Sequence, residues 1–520
     1  MRRLSVSVVL AVVTAAALGV GAAELGTDES LRPVSFVPGP PLWRLPDERP
    51  RAMVKNGSLE DAVDLCVTDQ MDALDAPGAS VAVIVDGELV YEQGYGVKRR
   101  GDSDAVDAGT QFRIGSITKM FTAAAVMQQV EAGTVFLDDR LSRHVPELEL
   151  VTDWPDDTIT VEHLLTHSSG LPDLVFHRSG PTGPNSLSDW AASLRWLGLH
   201  APPGAFFNYS NPNFNLAGLV LERASGREYR SYMEDRVFGA AGLSQTTFDP
   251  AAVVARGNAS HGHWFDGNEE VVSAPDDYDS GAYAPAGYAF STAGDLAQWA
   301  LLLADGGGTV LSTVSAHAMQ TLQRDLDTVP GQGYGYGIFV EPFFDLTLRQ
   351  HGGNIWGWGS MLLWHPQRRF AVAVLANNFT GLPGAAYCIA DHVLEPDHDQ
   401  APDYPFDPER LTLFEGLYDS SIRANSSGTN PYPVMAEVSP LAENQLFLSL
   451  WDPNGSWNDL WIMEHQVLDV FYVDVDDDGA FDLDLSFITG GSPERLRWMR
   501  MRPLVGHPQV APRDAGRANP

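Results

Sequence analysis

Two sets of strand-like runs lie at opposite ends of a long helical stretch, and that placement leaves few folds open. The first set, in "ASVAVIVDGELVYEQGYG" from residue 79, is two apolar runs joined by Asp86-Gly87, a pair suited to the left-handed turn of a β-hairpin. The second set, "YGYGIFV", "LTLRQHGG", "SMLLWHP" and "RRFAVAVLANN", falls between residues 334 and 378. From about Ser116 to Trp299 the pattern is mostly helical. A helix precedes the hairpin in "SLEDAVDLCVTDQMDALD", with Ser58 and Asp61 as a capping pair and Leu59, Val63, Cys66 and Leu74 on one face. Another, "GAAYCIADHVLE", follows the last strand. This order predicts an α+β domain. One antiparallel sheet draws its first and last pieces from distant parts of the chain, helices flank it, and a further helical region lies to one side.

Within the helical stretch, "FRIGSITKMFTA" holds Lys119, one of only three lysines (with Lys55 and Lys98) in 520 residues. Arginine supplies almost all the other positive charge, so a retained lysine asks for a property arginine lacks. That property is the ability to lose a proton. Ser116 and Lys119 are three apart, hence on one helix face. A serine hydroxyl needs a base before it can act as a nucleophile, and a neutral amine can be that base. The strand-like "TQFRI" places Ser116 at the start of an apolar helix, where free N–H groups can stabilise developing negative charge. Downstream stand Tyr209-Ser210-Asn211 and, at a strand end, His351-Gly352-Gly353.

These three pieces, in this order, resemble the penicillin-recognising serine hydrolases, in particular the class C β-lactamase, DD-peptidase, D-aminopeptidase and esterase branch. The likeness extends to "AGTVFLDDRLSRHVPEL", "ITVEHLLTHSSGLP", "PAGYAFSTAGDLAQWALLLADGG" and "AVAVLANN", covering about residues 58 to 396. The resemblance implies a β-lactamase/transpeptidase-like fold in which Ser116 is acylated. Lys119 and Tyr209 would share the proton, the phenol being lowered from its usual range by the lysine charge. Asn211 would hydrogen-bond a substrate carbonyl or amide, His351 and Gly353 would line the strand edge, and backbone N–H groups of Ser116 and Asn354 would form the oxyanion hole. Such chemistry calls for no metal or organic cofactor. The partner is a small-molecule or peptide substrate.

The sequence departs from the β-lactamase pattern where Lys-Thr-Gly usually stands: here it reads His351-Gly352-Gly353. A histidine is only partly charged at neutral pH, so it grips a substrate carboxylate less well. Arg349, two residues earlier, is compatible with compensating for this or with facing solvent. The expected activity is ester or amide hydrolysis, with D-amino-acid peptides included. β-Lactam hydrolysis, or DD-carboxypeptidase action on wall peptides, is the alternative. A cleft that binds without turnover is the rival from another class, and retention of Ser116, Lys119 and Tyr209 speaks against it. The loops "HRSGPTGPNSLSDW" and "HWFDGNEEVVSAPDDYDSGAY" are expected to line the cleft.

Other residues have plainer readings. His163 and His167 are four apart, as in a helical zinc pair, but no third ligand presents itself and structural roles are expected. Trp356 and Trp358 suit an acyl pocket and core packing equally. The only cysteines, Cys66 and Cys388, fall on the first and last helices, which pack side by side in folds of this family; a disulfide and two buried thiols both remain open.

The net charge of −35 disfavours nucleic acid and anionic membrane surfaces as partners. Residues 1–23 read as a signal peptide, with a basic "MRR", an apolar core and small residues before a cleavage after Ala23. Its removal leaves a periplasmic or secreted protein without stable membrane insertion. An extended segment (24–57) leads into the hydrolase domain (58–396). A Pro/Asp-rich linker (397–409), a small all-β, lipocalin-like domain (410–503) and a loose tail (504–520) follow. Asp474, Asp476 and Asp478 resemble the start of a calcium loop, but Leu485 occupies the twelfth position, so an acidic hairpin turn is expected.

Overall fold

The computed structural model describes residues 58–150, 159–173, 180–195, 197–199, 201–266, 269–326 and 331–400, together with the backbone of strands between residues 416 and 512. Helix α1 (Leu59–Ala73) opens on the expected cap. The Ser58 hydroxyl accepts the Asp61 N–H at 3.2 Å while the Asp61 carboxylate accepts the Ser58 N–H at 3.1 Å. Strands β1 (Gly78–Val85) and β2 (Glu88–Gly96) meet at Asp86 and Gly87, whose φ angles of 53° and 83° are the left-handed pair that Asp-Gly favours. The helical stretch contributes α2 (Thr118–Glu131), α3 (Asn211–Ser225) and α4 (Ala293–Ala304). It also contains a two-stranded hairpin, Gly262–Asp266 with Glu269–Ser273, in a segment expected to be loop.

The later strands are β3 (Arg324–Asp325), β4 (Gly333–Tyr334), β5 (Phe339–Phe343), β6 (Leu346–Ile355), β7 (Trp358–His365) and β8 (Phe370–Ala376). The sheet order is β2-β1-β8-β7-β6-β5-β4-β3, antiparallel throughout. The early hairpin therefore closes against the last strand, Val81 opposite Val374, as the split pattern of strands requires. Side chains of β8 alternate between two cores. Phe370, Val372 and Val374 face α1 and α5 (Pro383–Leu394), while Ala371, Ala373 and Leu375 face the larger core that contains α2, α3 and α4. Cys66 of α1 and Cys388 of α5 form a disulfide with a Cα separation of 5.8 Å, which settles the open question in favour of the bond.

Helix α2 is buried almost all round its first three turns, which its run of Met, Phe and Ala permits. Phe121 packs on Trp299 of α4 with ring centroids 4.6 Å apart, and burial of a side chain of this kind contributes roughly 1.5–3 kcal/mol. The helix is thus a fixed post in the larger core, and Ser116 stands at its top.

Between residues 416 and 512, eight strands from Gly416–Asp419 to Gln509–Pro512 form a second sheet, each paired antiparallel with the next. The segment 1–57 and Asp474, Asp476 and Asp478 lie outside the described residues. Among the described residues no helix is long and apolar enough to cross a membrane.

Candidate active site

The chain approaches Ser116 through a strand of two residues, Phe112–Arg113, and a single 3-10 turn, Gly115–Ile117, that runs directly into α2. Arg113 secures that approach. Its buried guanidinium donates to the carbonyls of Pro275 (2.8 Å), Tyr288 (3.3 Å) and Tyr278, and lies 4.2 Å from the Phe290 ring centroid. Gly115 takes φ +48°, and a Cβ there would fall 2.6 Å from the Asn354 backbone nitrogen. A Cβ on Gly353 would fall 2.7 Å from the Ser116 nitrogen and 2.1 Å from the Ile114 carbonyl oxygen. Glycine at both positions is what lets the two backbones meet, bringing the N–H groups of Ser116 and Asn354 together.

One turn beyond Ser116, Lys119 is wholly buried, with Nζ 2.9 Å from Ser116 Oγ, 2.7 Å from Asn211 Oδ1 and 2.7 Å from the Ala286 carbonyl oxygen. Two of those three partners can only accept. A neutral amine gives its two hydrogens to them and points its lone pair at the third, the serine hydroxyl. Burial holds Lys119 well below the ordinary lysine range, against an opposing pull from the Asp173 carboxylate. The neutral form that the geometry needs is the form that burial favours.

Tyr209 lies beside them, its ring centroid 5.0 Å from Lys119 Nζ. Its buried hydroxyl makes no hydrogen bond of full geometry, and the Ser116 hydroxyl is the polar group that bears on it. Burial raises this phenol well above 10, contrary to the expectation that lysine charge lowers it. The reason is that Lys119 carries little charge here, so desolvation of the phenolate decides. Hydrogen bonds lace the Tyr209 segment to residues 167–172. Asn208 N–H donates to the His167 carbonyl (2.7 Å), Ser210 N–H to His167 Nδ1 (3.1 Å) and Ser210 Oγ to the Pro172 carbonyl (3.0 Å). His167 is therefore structural. His163 caps its own helix at Thr160, and among the described residues no group of three metal-binding side chains occurs.

Asn211 begins α3, where its Oδ1 faces Lys119 and both its Nδ2 and its backbone N–H donate to Asp173. Its amide is thus engaged at both ends, rather than free for a substrate carbonyl. His351 differs more from expectation. It is wholly buried, its Nδ1 donates to the Gly352 carbonyl (2.6 Å), and its Nε2 therefore accepts from the Tyr334 hydroxyl (3.0 Å). Burial, together with Lys119, brings it down to about 3, so it offers no positive charge at neutral pH. Arg349 donates to the carbonyls of Gln320 and Thr347 and does not stand in for that charge. Asn354 turns its side chain to the Phe379 carbonyl, leaving its backbone at the Ser116 turn. Trp356 and Trp358 are core residues, 1 % and 0 % exposed.

Sequence reasoning missed four contributors: Asp173, Arg113, Tyr334 and the Ala286 carbonyl. Two left a trace, Arg113 as a charge inside the apolar "FRI" and Asp173 directly after "SSGLP".

Known proteins share this fold. The Beta-lactamase family model matches residues 63–394. Protein flp of Staphylococcus aureus (strain MW2) is 26% identical over 321 residues, 61% of this chain and 63% of that protein, so the chain spans less than two thirds of that curated relative. The crystal structure of SurE superposes with a TM-score of 0.64 at 24% identity, covering 88% of this chain and 99% of SurE; SurE has also been crystallised with D-Leu. EstCE1, a hydrolase with promiscuous acyltransferase activity, gives 0.56 at 24% identity, covering 64% and 98%. With the fold shared and the family model running from within α1 to the end of α5, the chain belongs to the Beta-lactamase family.

Proposed function

We propose that this is an exported serine hydrolase that cleaves an ester or amide, D-amino-acid acyl groups included, through an acyl-enzyme on Ser116. The observation that carries the reading is the set of partners around Lys119: two acceptors that take its hydrogens and one hydroxyl left for its lone pair. In the proposed reaction Ser116 Oγ attacks the substrate carbonyl carbon as its proton passes to Nζ. The carbonyl oxygen becomes negative and accepts from the Ser116 and Asn354 N–H groups. The bond to the leaving alcohol or amine then breaks. The leaving group takes a proton relayed from Lys119 through the Tyr209 hydroxyl, which gives one proton as it receives another. Water then attacks the ester carbonyl, passing its proton to Tyr209 as Tyr209 passes one to Lys119; the carbon–Oγ bond breaks, Oγ takes the proton from Lys119, and the acid and free Ser116 result.

Neutral His351, and Arg349 directed to backbone carbonyls, leave neither residue to grip a carboxylate beside the scissile bond, which favours neutral substrates over β-lactams. The likeness to a protein crystallised with D-Leu supports the D-acyl reading. Export is supported by the signal-like amino terminus and by the disulfide, a bond that persists in oxidising compartments. Ser116→Ala is expected to abolish both p-nitrophenyl butyrate turnover and labelling by a fluorophosphonate; labelling that survives the substitution would overturn the assignment. Nitrocefin hydrolysed faster than the butyrate ester would overturn the substrate class, and a burst without turnover would mark a cleft that only binds.

A further inference from the structure

An asparagine amide has an acceptor end and a donor end, and only one orientation suits a lysine that must take a proton from serine. In this site the orientation is imposed from behind. Asp173 Oδ1 accepts the Asn211 backbone N–H at 2.8 Å and Nδ2 at 3.1 Å, with Oδ2 3.3 Å from Nδ2. An ionised carboxylate has no hydrogen to give, so it selects the NH2 end of the amide and turns the oxygen toward Lys119. Reversed, the amide would present its NH2 to the amine, and the lone pair would be drawn to it in competition with Ser116. Resting on the acyl-enzyme reading above, we propose that Asp173 is a positioning residue: by fixing the Asn211 amide it holds the lone pair of Lys119 on the Ser116 hydroxyl.

The place of Asp173 in the fold suits that task. Residues 171 and 172 accept from Asn208 Nδ2 (3.2 Å) and Ser210 Oγ (3.0 Å), so the hydrogen bonds that place Tyr209 also place the carboxylate. Asp173 also leaves an electrostatic signature. Among the described residues, Tyr209 before α3, His167 beyond the 161–165 helix and His351 on β6 are titratable groups near the amine, and Tyr334 on β4 stands behind His351 as its hydrogen-bond partner. Tyr283 in the 283–288 turn faces Asp173. Burial keeps the histidines unprotonated and the phenols protonated, so the carboxylate is the charge among them, and it favours the ammonium form of Lys119. The base must be neutral to work, so activity rises as pH passes the lysine pKa. Removing the carboxylate charge lowers that pKa and moves the acid limb of the pH profile to lower pH.

The test is the rate of Ser116 acylation by p-nitrophenyl butyrate as a function of pH in full-length Asp173→Asn and Asp173→Glu. Asparagine can offer an NH2 and release the Asn211 amide. It is expected to slow acylation by roughly 10–100-fold and to shift the acid limb downward, whereas a purely structural defect would lower the rate without moving the limb. Glutamate keeps the charge and both acceptors, so it is expected to lose less than about tenfold with the acid limb in place. A wild-type rate and profile in Asp173→Asn, or a displaced limb in Asp173→Glu, would overturn the proposal; if the asparagine variant does not fold, the glutamate profile decides alone. Ser116→Ala separates the two claims. Hydrolysis surviving in it sinks the acyl-enzyme reading, while a silent Ser116→Ala beside an unaffected Asp173→Asn sinks only the role of Asp173.

Discussion

At the scale of single residues, the proposed chemistry depends on one buried amine that, among the described residues, hydrogen-bonds to a hydroxyl, an amide oxygen and a carbonyl rather than to a carboxylate. Asp173 is joined to Lys119 through the amide of Asn211, and although its charge favours the ammonium form, desolvation prevails. A guanidinium in the same place would keep its charge and its protons. Lys119→Arg is therefore expected to lower kcat/KM for p-nitrophenyl butyrate by about 10²–10⁴-fold, the usual contribution of a general base, while circular dichroism shows a folded protein. A variant retaining a tenth of the wild-type rate would place the base elsewhere. The residue was legible because lysine is otherwise nearly absent from the sequence. The direction of the Tyr209 shift was not, because that expectation assumed a charged lysine, and charge at Lys119 depends on burial that no local pattern reports.

At the scale of elements, the site is the meeting of a turn with a length of strand that is open along one edge and paired with β7 along the other. Strand β5 pairs with β6 only over Leu346–Gln350, so from His351 onward β6 has lost that neighbour, and the Ser116 turn lies against it there. Ser360 of β7 ties the two together, its hydroxyl 2.9 Å from the Ile114 carbonyl and 3.2 Å from that of Gly353. Gly353→Ala would set a methyl against the backbone of the Ile114–Ser116 turn, so strand or turn must move. A shift of the oxyanion donors is expected to lower kcat by roughly 10²–10³-fold, with a lower melting temperature. Activity within tenfold of wild type would show that this strand does not form the oxyanion wall. Long elements were readable: the Asp86-Gly87 hairpin, the Ser58 cap and the apolar β8 all carry strong local signals. The hairpin at Gly262–Ser273 was not, since strands of five residues mixing Asp, Glu and His with Trp, Phe and Val give too short an alternation to separate from loop.

At the scale of the molecule, the disulfide joins positions separated by 322 residues, across nearly the whole family region. The sequence placed Cys66 and Cys388 on the first and last helices, but the bond depends on the relative register of those helices, which is set by packing on the sheet rather than by either helix alone. Both lie on the sheet face opposite the core that holds Lys119. Neither helix depends on the bond alone for its seat. Asp64 of α1 accepts from the phenols of Tyr91 and Tyr95 on β2 at 2.7 Å each, and Tyr387 of α5 donates to the buried Glu341 of β5. The cross-link should therefore act chiefly on the unfolded chain, by closing a very long loop, and little on the site. Replacing Cys66 and Cys388 together by serine is expected to reduce the unfolding free energy by about 2–5 kcal/mol in urea titrations. Ester turnover at 25 °C should stay within about twofold of wild type, because additivity holds for distant, independent sites. Equal urea midpoints in the two proteins would show that packing against the sheet alone stabilises these helices; a collapse of turnover in a folded double variant would show that the two faces of the sheet are mechanically coupled, and that Ser116 is held in register from the side of the sheet it does not touch.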